Sequence, residues 1–126
     1  MKILIVDDSA FMRTILKDLI PGSKWAGSDI VEASDGNEAV AKCQNQKPDL
    51  VLLDIVMPGK DGIQVLKEIG YTQPSVVIVS SIGQENVIEQ AKSLGAKDYI
   101  VKPFDPKLVI EALDKLFPET AATAKT

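Results

Sequence analysis

The sequence predicts an α/β fold: a doubly wound, five-stranded parallel sheet of strand order 2-1-3-4-5, with five helices packed on its two faces. Short runs of branched apolar residues alternate five times with segments whose apolar residues recur at helical spacing. The run at residues 50–53 is continuous rather than interleaved with polar residues, which is typical of a strand that is buried on both faces of a parallel sheet. Right-handed connections between parallel strands then limit the arrangements open to the chain.

The first strand is predicted over residues 3–6, where apolar residues follow one another without interruption. From Ser9 onward the apolar spacing becomes helical, and Pro21 and Gly22 end this first helix. Residues 28–33 form a weaker apolar run, so we expect the second strand there, at an edge of the sheet. The apolar face of the first helix contains Phe11, Met12, Ile15, Leu16, Leu19 and Ile20.

The second helix follows a turn at residues 35–37 and ends before Lys47. Its apolar face contains Ala39, Val40 and Cys43, and we favour the interpretation of the cysteine as a small core residue. Because Cys43 is the single cysteine of the chain, the fold has to form without an intramolecular disulfide, as in a cytosolic protein.

The third strand is predicted over residues 50–53, and a single carboxylate, Asp54, follows it directly. Pro58 and Gly59 then lie in a loop before the third helix, which we expect to end at Gly70. The apolar face of that helix is formed by Ile63, Val65, Leu66 and Ile69.

The last two strands are predicted over residues 76–79 and 98–101. Between them we expect a loop at residues 80–83 and a helix at 84–94, which Gly95 ends. The inward face of this helix contains Val87, Ile88, Ala91 and Leu94.

The final helix begins at Asp105, an N-cap residue, with Pro106 in its first turn. We expect one domain over residues 1–118, followed by a flexible tail at residues 119–126, where the sequence shows no periodicity. The helix is expected to pack through Leu108, Val109, Ala112, Leu113 and Leu116.

The composition restricts the classes of function. With 126 residues the chain fits one domain and leaves no room for a separate catalytic or nucleic-acid-binding domain. The net charge of −4 disfavours nucleic acid as a partner and favours metal cations and basic protein surfaces. The first apolar run is too short for a signal peptide or a membrane span, so we expect a cytoplasmic protein without a membrane partner.

Polar side chains that are able to bind ligands or take part in catalysis follow four of the five predicted strands. Asp7 and Asp8 follow the first strand, Asp54 the third, Ser80 the fourth and Lys102 the fifth. The carboxyl ends of parallel strands meet at one edge of a sheet, so these side chains are expected to line a single cleft. Each has a simpler explanation as a helix cap, turn residue, loop acid or solvated lysine, but their joint placement favours a site.

The three acids favour a magnesium site. Two carboxylates about 5 Å apart repel each other by roughly 3 kcal/mol at an effective dielectric constant near 20, so either a proton or a cation has to compensate. An all-oxygen site suits Mg²⁺, and the absence of histidine excludes both zinc chemistry and histidine base catalysis.

The same charges favour a phosphoryl group as the substrate. Mg²⁺ and the ammonium group of Lys102 would neutralise a phosphoryl group, which carries about −1.5 to −2 charges. Asp54 can act as the nucleophile and form an aspartyl phosphate, while Ser80 and Lys102 bind the remaining phosphoryl oxygens.

Four segments of the chain resemble the receiver domain of two-component response regulators. They are VDDSAFMR at residues 6–13, DLVLLDIVMPGKDG at 49–62, VIVSS at 77–81 and GAKDYIVKPF at 95–104. They occur in the order and at the spacing of the family, whose fold is flavodoxin-like. The residues after the acid pair and the lack of an output domain resemble stand-alone chemotaxis proteins of the CheY type.

The resemblance implies a Mg²⁺-dependent signalling protein without enzymatic turnover. Asp54 would be the phosphoacceptor and take its phosphoryl group from a histidine kinase. Asp8 would bind Mg²⁺ directly, Asp7 largely through water, and the main-chain carbonyl of Val56 would complete the protein ligands. Lys102 would bridge to the phosphoryl group, and its bond to Pro103 is expected to be cis.

The resemblance also implies a switch. Ser80 would move toward the phosphoryl group and Tyr99 would rotate inward, although Tyr99 has an alternative interpretation as a half-buried strand residue. The fourth helix, fifth strand and last helix would then present a changed surface to a downstream protein, with the flagellar motor switch as one candidate. We expect a monomer, with a phosphatase as a further candidate partner.

Two features depart from the family pattern. The connection PGSKWAG at residues 21–27 is longer than usual, and its Trp25 is interpreted as a packing anchor or, alternatively, as part of a partner site. Val56 offers no polar side chain to orient a hydrolytic water, so we expect a long-lived phosphoryl group.

Four competing interpretations remain at this point. A flavoprotein of similar fold would need a phosphate-binding loop after the first strand, where Asp7 and Asp8 would instead repel phosphate. An aspartyl-nucleophile phosphatase usually has a second carboxylate at the position of Val56. A phosphorelay shuttle or another regulator without a motor target would share the site residues. A receiver-shaped adaptor would never be phosphorylated.

Overall fold

The computed structural model describes residues 1–69 and 74–117. The predictions for Gly70 and for the tail at residues 119–126 lie outside the described residues. Five parallel strands form one sheet in the order β2-β1-β3-β4-β5, which confirms the predicted fold class. The strands are β1 (Lys2–Val6), β2 (Asp29–Ala33), β3 (Leu50–Leu53), β4 (Ser75–Ser80) and β5 (Ala96–Val101). The helices are α1 (Ala10–Leu19), α2 (Gly36–Gln46), α3 (Gly62–Ile69), α4 (Glu85–Ser93) and α5 (Pro106–Leu116).

Strand register aligns the carboxyl ends of the sheet. Val6, the last residue of β1, pairs with Ala33 of β2 and with Leu53 of β3. On the other side, Ser80 at the end of β4 pairs with Val101 at the end of β5. The residues that follow these strands therefore emerge along one edge, and the weakly apolar β2 lies at an outer position of the sheet, as predicted.

The core has two layers, one on each face of the sheet. Alternate residues of β1 and β3 point into opposite layers and are fully buried, such as Leu4 on one side and Ile5 on the other. Each fully buried side chain of this kind stabilises the fold by about 1.5–3 kcal/mol. Cys43 is buried in the layer that contains Leu4, as predicted. Burial raises the pKa of its thiol to about 11, so the thiol is not a nucleophile at neutral pH.

The α1–β2 connection is anchored on α5 by Trp25. Its side chain is only 4% exposed, and its ring meets that of Phe117 edge-on at a centroid distance of 5.9 Å. The indole Nε1 donates a hydrogen bond of 3.3 Å to Oδ1 of Asp114. The interpretation of Trp25 as a packing anchor is confirmed.

The prediction that Phe11 and Leu108 pack inward is wrong. Phe11 is 75% exposed and Leu108 is 47% exposed. At 3.6 residues per turn, Phe11 points about 140° away from the buried Leu16. Leu108 lies about 90° from the centre of the buried face of α5. Both residues satisfy the apolar spacing of their helices but lie beyond the stripe that faces the sheet.

Within residues 1–69 and 74–117, no helix combines the length and the apolar composition that crossing a bilayer requires.

Candidate functional site

Three acids meet at the carboxyl edge of the sheet. Asp7, Asp8 and Asp54 each offer a carboxylate oxygen, and these oxygens lie within 4.8 Å of one another. Asp7 is 1% and Asp54 is 5% exposed, whereas Asp8 is exposed at the mouth of the cluster. Hard oxygen donors in this arrangement fit a hard divalent cation that keeps some of its water ligands.

Asp7 is held through its main chain and both carboxylate oxygens. Its N–H donates to the carbonyl of Ala33 at 3.1 Å, which continues the pairing with β2. Oδ1 accepts a hydrogen bond of 2.9 Å from the N–H of Ser9, and Oδ2 accepts one of 2.8 Å from Nζ of Lys102. Asp7 therefore has little freedom to leave the cluster.

Ser9 provides the N-cap of α1, so the capping explanation does not account for Asp8. The hydroxyl of Ser9 accepts a hydrogen bond of 3.2 Å from the N–H of Met12. The carboxylate of Asp8 instead belongs to the acid cluster.

Asp54 is fixed at the end of β3 by its main chain and by a tight turn. Its N–H donates to the carbonyl of Val6 at 3.0 Å, and its Oδ1 accepts a hydrogen bond of 3.3 Å from the N–H of Val56. A Cβ atom on Gly62 would lie 2.3 Å from the carbonyl oxygen of Asp54, so only glycine allows α3 to begin this close to the acid.

Lys102 supplies the positive charge of the cleft. Its Nζ lies 2.8 Å from Oδ2 of Asp7 and 3.2 Å from Oδ2 of Asp54. The peptide bond between Lys102 and Pro103 is cis, as expected. This ammonium group can neutralise only part of the charge of the three acids, so the cluster favours a further cation.

The pKa shifts of Asp54 and Lys102 have identifiable causes. Burial raises the pKa of Asp54; the charge of Lys102 opposes this effect, and the charge of Asp7 adds to it. Burial alone would lower the pKa of Lys102, but its hydrogen bond to Asp7 and the charge of Asp54 outweigh burial and raise it. Lys102 is therefore protonated at neutral pH, while Asp54 carries an unfavourable buried charge.

Ser80 and Tyr99 are linked through the segment that follows β4. Ser80 is fully buried, and its Oγ accepts a hydrogen bond of 3.2 Å from the N–H of Ile82. The hydroxyl of Tyr99 donates to the carbonyl of Ile82 at 2.5 Å. Tyr99 is half-buried in β5, in agreement with the alternative interpretation, and it packs against the core layer that contains Leu4.

No separate role was predicted for Arg13, which the structure brings into contact with the main chain of Asp7. Its Nη1 donates a hydrogen bond of 2.6 Å to the main-chain carbonyl of Asp7. The sequence does show a cation in α1, Arg13, and an acid in the edge strand β2, Glu32. Their contact could not be predicted, because it depends on how α1 and β2 pack together.

This chain is similar to proteins of a known family. Residues 3–114 match the family described as the response regulator receiver domain. The chemotaxis protein CheY of Thermotoga maritima is 47% identical over 119 residues, covering 91% of this chain and 96% of that protein. CheY of Bacillus subtilis is 45% identical over 117 residues, covering 90% of this chain and 95% of that protein.

A solved structure shows the same fold. A chain in the crystal structure of the CheX–CheY–BeF3–Mg²⁺ complex from Borrelia burgdorferi is 36% identical and superposes with a TM-score of 0.84, covering 92% of this chain and 88% of that one. The chain is thus closely related to the CheY chemotaxis regulators, and it belongs to the response regulator receiver domain family.

Proposed function

We propose that this protein is a response regulator that accepts a phosphoryl group on Asp54 and signals by phosphorylation-dependent binding to a partner in chemotaxis. The observation that carries the proposal is the buried Asp54, hydrogen-bonded to the protonated Lys102 and grouped with Asp7 and Asp8. The relation to CheY proteins supports chemotaxis as the pathway.

The phosphodonor is a phosphohistidine of a histidine kinase. A carboxylate oxygen of Asp54 forms a bond to phosphorus as the phosphorus–nitrogen bond of the donor breaks, and the electron pair of that bond returns to the imidazole. The ammonium group of Lys102 stabilises the phosphoryl oxygens, and Ser80 offers a hydroxyl to the same group. Catalysis of this kind depends on positioning and charge neutralisation.

Mg²⁺ is the proposed cofactor. Asp7, Asp8 and Asp54 would hold it together with the main-chain carbonyl of Val56, and it would supply charge neutralisation to the phosphoryl oxygens. The donor set supports this choice because it contains only oxygen atoms. The Mg²⁺ in the related Borrelia complex gives further support.

The signal is a shift between two conformations. The phosphoryl group would favour the arrangement in which Ser80 turns toward Asp54 and Tyr99 lies inward. The hydrogen bond from Tyr99 to Ile82 links these positions and supports their coupling. A downstream protein, with the flagellar motor switch as a candidate, would bind the surface formed by α4, β5 and α5, and a phosphatase would reset the protein.

Phosphorylation with a small donor tests the proposal. Acetyl phosphate and MgCl2 are added to wild type and to Asp54→Asn, and the phosphoprotein is measured by intact mass. We expect one phosphoryl group on wild type, and none on the variant or after chelation with EDTA. Many turnovers would indicate a phosphatase, and failure of folded wild type to be labelled would indicate an adaptor; either result would overturn the proposal.

The pathway is tested by affinity capture. Immobilised wild type and Asp54→Asn are exposed to cell extract under phosphorylating conditions, and the bound proteins are identified by mass spectrometry. We expect flagellar switch proteins on wild type alone. Capture of a second phosphotransfer protein instead would indicate a phosphorelay shuttle.

A further inference from the structure

We propose that Arg13 is a positioning residue for the metal site, because its guanidinium group fastens the main chain between Asp7 and Asp8 to the edge strand β2. The inference rests on the proposed function, since the ion whose site is positioned is the Mg²⁺ of that reaction. Arg13 itself contacts neither the acid oxygens nor the phosphoryl position among its described contacts.

Arg13 makes two hydrogen bonds in different directions. Its Nη1 donates to the carbonyl oxygen of Asp7 at 2.6 Å, and its Nε donates to Oε1 of Glu32 at 3.0 Å. The side chain is only 16% exposed. A planar guanidinium group held at two edges has a fixed orientation, which a single ion pair would not give.

Glu32 is a firm anchor for this arginine. It lies in β2 and pairs with Ile5 of β1. Lys17 binds its second carboxylate oxygen at 3.3 Å, and Lys42 donates to its main-chain carbonyl. Burial would raise the pKa of Glu32, but its bonds to Arg13 and Lys17 outweigh burial and lower it, so Glu32 stays charged at neutral pH.

The carbonyl that Arg13 holds controls the direction of the chain into Asp8. The peptide unit between Asp7 and Asp8 is planar, so fixing the Asp7 oxygen also fixes the orientation of the Asp8 N–H and the direction of the bond to its Cα. On the other side of Asp7, the N–H is already fixed to Ala33. Because the N–H and the carbonyl of Asp7 are both held, the main chain reaches Asp8 in a fixed direction. This direction determines how the exposed carboxylate of Asp8 joins the acid cluster.

Lys17 provides a matched control. It shares Glu32 with Arg13, lies on the same helix and is more exposed, with a side-chain exposure of 44%. The hydrogen bonds of Lys17 reach Glu32, whereas those of Arg13 also reach the Asp7 carbonyl. If the ion pairs only strengthen the contact between α1 and β2, loss of either cation should have a similar effect.

The experiment measures Mg²⁺ binding without a phosphodonor. Wild type, Arg13→Met, Arg13→Lys and Lys17→Met are titrated with MgCl2 by isothermal calorimetry, and their thermal unfolding is recorded in EDTA. Methionine keeps the apolar stem of arginine without its donors. We expect Arg13→Met to raise the Kd for Mg²⁺ by about tenfold, as is typical when an outer-sphere partner is lost. Arg13→Lys should be intermediate, and Lys17→Met should stay within about twofold of wild type.

The outcomes separate this inference from the proposed function. A Kd for Arg13→Met within about twofold of wild type would overturn the inference, whatever happens to thermal stability. So would equal weakening in Arg13→Met and Lys17→Met. If Arg13→Met does not fold, the comparison of Arg13→Lys with Lys17→Met decides in the same way. Failure of wild type to bind Mg²⁺ would instead contradict the proposed function.

Discussion

At the scale of single residues, the cleft is governed by the charge that Asp54 carries in a buried position. Asp7 repels that charge, and Lys102, which is shared between the two acids, compensates only part of it. A site of this kind is less favourable for the folded protein than the same residues would be in water. The cost is acceptable if the acid is needed as a nucleophile for phosphoryl transfer.

Replacement of Asp54 by asparagine should therefore stabilise the protein in EDTA at neutral pH. The pKa of Asp54 is raised in the folded state, which means that folding disfavours its ionised form. Wild type therefore loses stability relative to the variant as the pH rises and this carboxyl ionises. We expect a gain of about 1 kcal/mol at pH 7, a usual size for a single substitution, which disappears below the pKa of an unfolded aspartate.

Urea denaturation of both proteins between pH 3 and pH 8, spanning roughly the titration range of aspartate, measures this difference. A difference that does not depend on pH would contradict the explanation by charge. A variant less stable than wild type at pH 7 would show that the attraction of Lys102 exceeds the cost of burial.

Replacement of Val56 by asparagine should shorten the life of the phosphoryl group. Val56 is 52% exposed and follows Asp54 by two positions, so a polar side chain there can orient a water molecule toward phosphorus without disturbing the core. Decay of the phosphoprotein is followed by intact mass after the phosphodonor is removed, with Val56→Ala as the control for loss of the valine side chain. Equal decay in wild type and Val56→Asn would refute the hypothesis.

At the scale of elements, the start of α3 is coupled to Asp54 through a close backbone approach. The N–H of Gly62 donates to the carbonyl of Ile55 at 2.9 Å, and a Cβ atom on Gly62 would collide with the main chain of Asp54. The helix can therefore shift only if the loop that carries the acid shifts with it.

Gly62→Ala should lower both stability and phosphorylation rate. Overpacking of this kind typically costs about 1–3 kcal/mol, and displacement of Asp54 should slow labelling by acetyl phosphate. Gly22→Ala is the matched control, because nothing lies within 4 Å of its Cβ position. Normal labelling in Gly62→Ala would show that the loop adapts without moving the acid.

The connection at residues 21–27 is tied to the end of α5 by Trp25. We expect Trp25→Ala to lower the free energy of unfolding by about 3–5 kcal/mol, the usual cost of removing a buried aromatic ring. Trp25→Phe should cost less, because it keeps much of the buried area and loses the hydrogen bond to Asp114. Urea denaturation measures both; similar losses in the two variants would assign the effect to the hydrogen bond.

At the scale of the whole molecule, the sequence was sufficient for the sheet but not for every side chain. Continuous apolar runs located β1, β3 and β4, because burial on both faces leaves a strong local pattern, whereas β2 and β5 were located from weaker patterns. Phe11 and Leu108 were misassigned, since helical spacing does not reveal how wide the buried stripe is. The contact of Arg13 with Asp7 and that of Tyr99 with Ile82 join distant elements, so no local pattern could predict them.

The last prediction concerns Mg²⁺ and the stability of the whole fold. An ion that binds only the folded state stabilises it in proportion to the logarithm of its concentration, by about 1.4 kcal/mol at ten times its Kd. Mg²⁺ would also relieve the repulsion among the three carboxylates, so its effect should exceed that of ionic screening. Thermal unfolding of wild type is compared in MgCl2 and in NaCl of equal ionic strength, with Asp8→Ala as the variant that lacks a ligand. We expect a higher Tm in MgCl2 for wild type and a much smaller difference for Asp8→Ala. Equal stabilisation by the two salts would mean that the acids are only screened, and the cluster would then not be a magnesium site.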